Sequence, residues 1–247
     1  ANMQTDRKGE AHRSTGTSVT YTATWTNGVS IGAVALPATN LSAAATIRVR
    51  LYSDTACTTL LQDTGVITAC PGLQALPWTW TGVYNANAFA YGALSKAVAW
   101  FASNRAGVKG MKVDLSDAGN AAGYIDCARL VAGPWWSPDK NVGYGAAHLV
   151  ADTTKNVRTD AGDLCSDRSP MHEEMTFSMP EMTVADRDAL VQVLRANGAW
   201  KPIFVSLLPL YGDSREQAYM LFGKVKPTQV AHPVFETFKA DITLEGW

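Results

Sequence analysis

His172, Glu173 and Glu174 stand together in this sequence, and an imidazole beside two carboxylates can hold a metal ion or move a proton. A metalloprotease pattern needs histidines four residues apart on a helix, with a glutamate after the first. Position 176 is Thr, and Met171 to Met179 (MHEEMTFSM) reads as a strand, which sends consecutive side chains to opposite faces. The triplet is therefore expected to be a solvated strand face, with no metal. His12, His148 and His232 are scattered, and none has a serine or cysteine that sequence alone can place beside it.

A second polar group is acidic: Asp152, Asp160, Asp163 and Asp167 share one stretch, with Asp126 upstream. Neighbouring carboxylates bind calcium or work as an acid and base pair. TTKNVRTDAGDL lacks the alternating oxygens and closing Glu of a calcium loop, and Asp160-Ala161-Gly162-Asp163 reads as a turn. The chain has no G-x-S-x-G elbow, phosphate-binding loop or G-x-G-x-x-G. With no nucleophile to pair with a base, no enzymatic activity and no cofactor are expected.

Trp135 and Trp136 lie between Pro134 and Pro138. Two such rings on a rim can hold the apolar face of a sugar, or they can plug the junction between two halves of the chain, which is the favoured reading. Trp78, Trp80 and Tyr84 fall in a long aperiodic excursion after residue 71, expected to cover one end of the first half. Cys57, Cys70, Cys127 and Cys165 form no C-x-x-C pair and are expected to be buried free thiols of a protein made in a reducing cytoplasm.

These residues must be positioned by 247 residues, enough for one large domain or two small ones. Charged residues make up 17%, below the usual share of about 25%, and the net charge is -1. That balance argues against nucleic acid, which needs a basic footprint. A surface poor in charge stays soluble most easily when neighbours cover it. Ile203 to Leu210 is the most apolar stretch and is broken by Pro209, so no membrane insertion is expected, and the polar ANMQTDRKGE start suggests no signal peptide.

The first half reads as strands. Thr17 to Trp25 puts Val19, Tyr21, Ala23 and Trp25 on one face; Asn27-Gly28 signals a tight turn; Ile31 to Leu36 is a short buried run. Thr46 to Tyr52 turns Ile47, Val49 and Leu51 inward and Arg48 and Arg50 outward. Val108 to Leu115 and Tyr124 to Val131 are further strands, and the spacing suggests a β-sandwich. In the second half Thr183 caps a helix, with Asp186 as the capping-box acid and Asn197-Gly198 as its stop. Strands follow at Lys201 to Leu208, Tyr219 to Val225 and Phe235 to Leu244. The fold class is mainly β: an antiparallel sandwich over residues 1–138, with 1–11 open to either module, and a smaller α+β module over 139–247 with one helix on an antiparallel sheet.

RSTGTSVTYTATWTNGVSIGAVALPATNLSAAATIRVRLYSD, followed by KGMKVDLSD and GYIDCARLVAGPWWSP, resembles the galactose-binding-like, or discoidin-like, jelly-roll sandwich. TFSMPEMTVADRDALVQVLRANGAWKPIFVSLLP, with LFGKV and ADITL, resembles the ring-forming module of phage tail-tip proteins. The combination is similar to distal tail and related minor tail proteins of tailed phages. The resemblance implies a structural virion component, made in the host cytoplasm and placed in a tail tip or baseplate. It would form a ring with copies of itself, contact other tail proteins and display the sandwich outward. Phe204, Leu207, Met220 and Phe222 are the expected assembly residues, and the sandwich is expected to close its own core as a monomer. Two alternatives remain at this point: a carbohydrate-binding module that touches a host surface glycan, and a glycan-processing enzyme.

Overall fold

The computed structural model describes residues 2–5, 7, 9–72, 95–169 and 171–246. Trp78, Trp80 and Tyr84 lie outside the described residues. The protein is mainly β, built on antiparallel sheets with little helix, which is the class expected from the sequence. It divides into two compact units: Ala1–Trp136 with Leu208–Met220, and Ser137–Leu207 with Leu221–Trp247.

The first unit carries β1 (His12–Arg13), β2 (Ser18–Thr39), β3 (Thr46–Tyr52), β4 (Leu60–Asp63), β5 (Ile67–Thr68), β6 (Ser95–Ser116), β7 (Asp126–Cys127) and β8 (Val131–Gly133). They form one hydrogen-bonded network in the order β1-β7-β2-β6-β3-β4, with β5 on β3 and β8 on β2. The expected turn at Asn27-Gly28 is absent. β2 runs through it as a single strand of 22 residues beside an equally long β6. The physical reason lies across the ladder. The register slips between Thr24 and Val29 and on both sides of Ile31. A Cβ at Gly28 would sit 3.0 Å from the Cα of Gly107, which itself has φ of 76°. Two facing glycines let the backbones approach closely, so the Asn-Gly pair serves a bulge instead of a hairpin.

Bulges bend strands, and here they separate two wings. In one, Ser18 to Thr24 pair with Gly110 to Ser116, whose far side is bonded to β3. In the other, Ala33 to Thr39 pair with Ser95 to Trp100, and β8 and β7 continue beyond β2. Ile47, Val49 and Leu51 from the first wing and Val34, Leu36, Ala97, Ala99 and Phe101 from the second share one core cluster. The two wings thus pack on one core, joined by the long strands β2 and β6 that run through both.

The β3 register is the expected one. Val49 and Leu51 are fully buried, while Arg48 and Arg50 point the other way and pair with Asp63 and Asp114 at 2.6 and 2.5 Å. The Arg48 guanidinium holds the Asp63 carboxyl below its ordinary range. Val19, Tyr21 and Trp25 pack against the core half-buried. Tyr124 to Val131, expected as one strand, yields only the short β7 and the start of β8.

The second unit contains β9 (Ala147–Asp152), β10 (Lys155–Arg158), β11 (Leu164–Asp167), β12 (Met171–Met182), α1 (Val184–Asn197), β13 (Ile203–Ser206), β14 (Met220–Val225), β15 (Val230–Val234) and β16 (Thr237–Gly246); a short α2 (Ser214–Ala218) belongs to the first unit. Its sheet runs β13-β14-β16-β12-β9, with β15 also on β16. Met175, Phe177 and Met179 of β12 and Ala240, Ile242 and Leu244 of β16 turn one buried face towards the interior. α1 begins with the expected capping box: the Thr183 hydroxyl accepts from the Asp186 amide, and the Asp186 carboxylate accepts from the Thr183 amide. Gly198, with φ of 58°, ends it as the sequence suggests. The apolar run Lys201 to Leu208 supplies only the four residues of β13.

Candidate functional site

β9 to β12 form a long hairpin whose outer half has no cover among the described residues. Met171 to Thr176 of β12 pair with Asp152 to Ala147 of β9, and the same two chains continue outward as β10 and β11, paired from Lys155↔Asp167 to Arg158↔Leu164. The tip is the turn expected at residues 160–163: the Thr159 hydroxyl accepts from the Asp163 amide, and Gly162 has φ of 92°. Every residue of β10 and β11 is exposed. So are Leu149, Val150, Val157, Leu164 and Met171, each more than half exposed. Val157 faces Cys165 across one face of the ribbon, and Leu164 faces Arg158 across the other. Apolar groups thus stand open on both faces of the arm, and two strands alone are marginal in water.

Cys165 therefore corrects one expectation. It is exposed on this arm, while Cys57, Cys70 and Cys127 are buried as anticipated; all four are free thiols. The sequence showed only a polar stretch here. Its weak alternation, NVR against LCSD around a Gly turn, was the available hairpin signal.

Three of the four expected assembly side chains are turned inward. Leu207, Met220 and Phe222 are buried within their own chain, and Phe204 is half-buried. β13 is the last strand at one end of its sheet among the described residues. The two tryptophans separate as well. Trp135 is half-buried and tied to β6: its indole N–H donates to the Phe101 carbonyl at 3.1 Å, and the Asn104 side chain bonds both its amide and its carbonyl. Only Trp136 is exposed. They do not form a paired platform of open rings.

The His172 triplet divides between two faces, as a strand requires. Glu173 turns towards His148, 3.7 Å away. His172 and Glu174 share the other face with Glu245 of β16, which lies directly across the ladder from Glu174. Nε2 of His172 is 3.5 Å from Glu174 Oε1 and 3.9 Å from Glu245 Oε1. Lys226 reaches Glu174 Oε1 at 2.7 Å and holds that carboxyl below its ordinary range. Beside them Lys224, Lys226, Glu245, Pro202 and Pro227 line a shallow groove of about 480 Å³. The sequence signal for this cluster was His-x-Glu in a strand: residues two apart share a face. Its third member, 71 positions away from Glu174, depended on strand pairing that no local pattern reveals. No protein-family model matches the chain, and no curated protein matches it in sequence.

Proposed function

We propose that this protein is a structural subunit of a tailed-phage tail tip or baseplate, working by assembly with copies of itself and with neighbouring tail proteins. The observation that carries the reading is the uncovered hairpin arm, with Leu149, Val150, Val157, Leu164 and Met171 open on both of its faces. In a lone chain that surface is a liability; between two neighbours it becomes the buried centre of a contact. The low charge supports the same reading, because interface centres are depleted in charged groups. The likeness of the sequence to tail-tip modules supplies the particle in which such contacts would be made. The second unit is the assembling part in this account, and the first unit is the part displayed.

Electron microscopy of purified particles of the encoding phage, with mass spectrometry of their proteins, tests this. The chain should be present in the tail tip, with β10 and β11 enclosed by neighbouring chains. Particles that lack the chain, or that carry it with the arm in open solvent, overturn the proposal.

A further inference from the structure

We propose that His172, Glu174 and Glu245 form a binding site for a divalent transition-metal cation, with Zn²⁺ the best chemical fit. This site adjoins the inner end of the assembly arm, where Leu149 is the ladder partner of Glu174, but does not depend on the role given to that arm. One imidazole nitrogen and two carboxylate oxygens gather within 4.8 Å of one another on the face of β12 and β16. A tetrahedral zinc ion bound at about 2.0–2.2 Å holds its ligand atoms roughly 3.2–3.6 Å apart. The His172–Glu174 separation of 3.5 Å already meets that, and the His172–Glu245 separation of 3.9 Å nearly does. Glu245 is the most exposed of the three, with 53% of its side chain open, so a small side-chain rotation brings it in. Three protein ligands leave the fourth position for water.

The register gives an independent reason for a cation. Glu174 and Glu245 are direct partners on adjacent strands, and like charges in that relation destabilise a sheet. Lys226 offsets part of this by its bond to Glu174. Lys224 stands across the ladder from Glu245, so two ammonium groups flank the carboxylates; a divalent ion with nitrogen affinity would engage both carboxylates and the imidazole at once. Imidazole selects against Mg²⁺ and Ca²⁺, which prefer oxygen alone. Both strands are interior to their sheet, so the backbone that carries the ligands is rigid. Lys226 is then a competitor: a metal ion must share Glu174 with its ammonium or displace it.

The test is calorimetric titration of ZnCl₂ into the full chain carrying Cys165→Ser, so that the exposed thiol does not bind zinc. One ion per chain is expected, with little competition from millimolar Mg²⁺. His172→Ala and the isosteric Glu245→Gln should each weaken binding by more than about a hundredfold, since the loss of even an outer partner of a ligand costs about 10–100-fold. Lys226→Gln should tighten it, an effect that no merely structural role of Lys226 would give. Thermal unfolding should rise with Zn²⁺ in the parent and stay flat in His172→Ala. Absence of binding at millimolar Zn²⁺, or binding that is equal in the parent, His172→Ala and Glu245→Gln, overturns the proposal.

Discussion

Cys70 and Cys127 sit in the core of the first unit, and burial pushes both thiols up to about 12. A thiol in that state is not a nucleophile at neutral pH, because the thiolate is the reacting form. Cys57 is enclosed as well, beneath Gly110, where an added Cβ would meet its sulfur at 2.6 Å. Cys165 has no such protection. Brief treatment of the native chain with iodoacetamide at pH 8 should therefore modify Cys165 alone, and the denatured chain at all four cysteines. Mass mapping of the modified peptides checks this; labelling of Cys70 or Cys127 as fast as Cys165 would mean that the core is open. The same contrast shows what single residues disclose. Ile47, Val49 and Leu51 were legible as core because polar residues alternate with them and the period is local. Cys165 was not, because its exposure is set by the missing cover over β10 and β11, a property of the surroundings and not of LCSD itself.

Elements depend on partners far along the chain, and the bend in β2 shows the effect. Gly32 lies in the slipped register, under the clamp made by Asn104 and Trp135. A Cβ placed there would come within 1.9 Å of Asn104 Oδ1 and 2.6 Å of Trp135 Cδ1. Gly32→Ala should destabilise the first unit by about 1–3 kcal/mol, the usual range for overpacking a filled site. Removing the obstacle should restore part of the loss, so Gly32→Ala with Asn104→Ala should unfold later in urea than the sum of the two single effects requires. A Gly32→Ala chain with the parent's urea midpoint would remove the close approach from the account. Sequence could not foresee this bend. Asn27-Gly28 carries a strong hairpin signal, and it is the facing Gly107, 79 residues later, that turns it into a bulge. α1 was legible in detail because Thr183, Asp186 and Gly198 act within one turn of its ends. The arm was hidden for the opposite reason, since a ribbon exposed on both faces has no core-facing period to read.

At the scale of the whole molecule, the chain does not hand over once from one unit to the other. Residues 139–247 were expected to form one module, yet Leu208–Met220 leaves the second unit and packs as part of the first. Its buried groups explain why it stays. The Gln217 side chain acts as a short stretch of strand: its carbonyl accepts from the Lys96 amide at 3.1 Å, and its amide donates to the Lys96 and Pro71 carbonyls at 2.8 and 2.9 Å. The Glu216 carboxylate accepts from the amides of Leu210 and Gly212 and so holds the loop in shape. Gly72 completes the fit, since a Cβ there would collide with the Asp213 carbonyl at 1.9 Å. The first unit is thus finished by residues that follow most of the second in sequence. A fragment ending at 138 should be less stable than the same unit in the full chain, and a peptide spanning 208–220 should restore part of the difference. The sharper test keeps the chain whole. Gln217→Ala leaves the Lys96 amide and carbonyl and the Pro71 carbonyl without these partners, at about 1–3 kcal/mol for each group that stays buried and unpaired. Urea unfolding followed by the exchange of the Lys96 amide proton should show a loss of several kcal/mol. If Gln217→Ala matches the parent and the 1–138 fragment unfolds at the parent's midpoint, the returning segment only rests on the first unit, and that unit is complete without it.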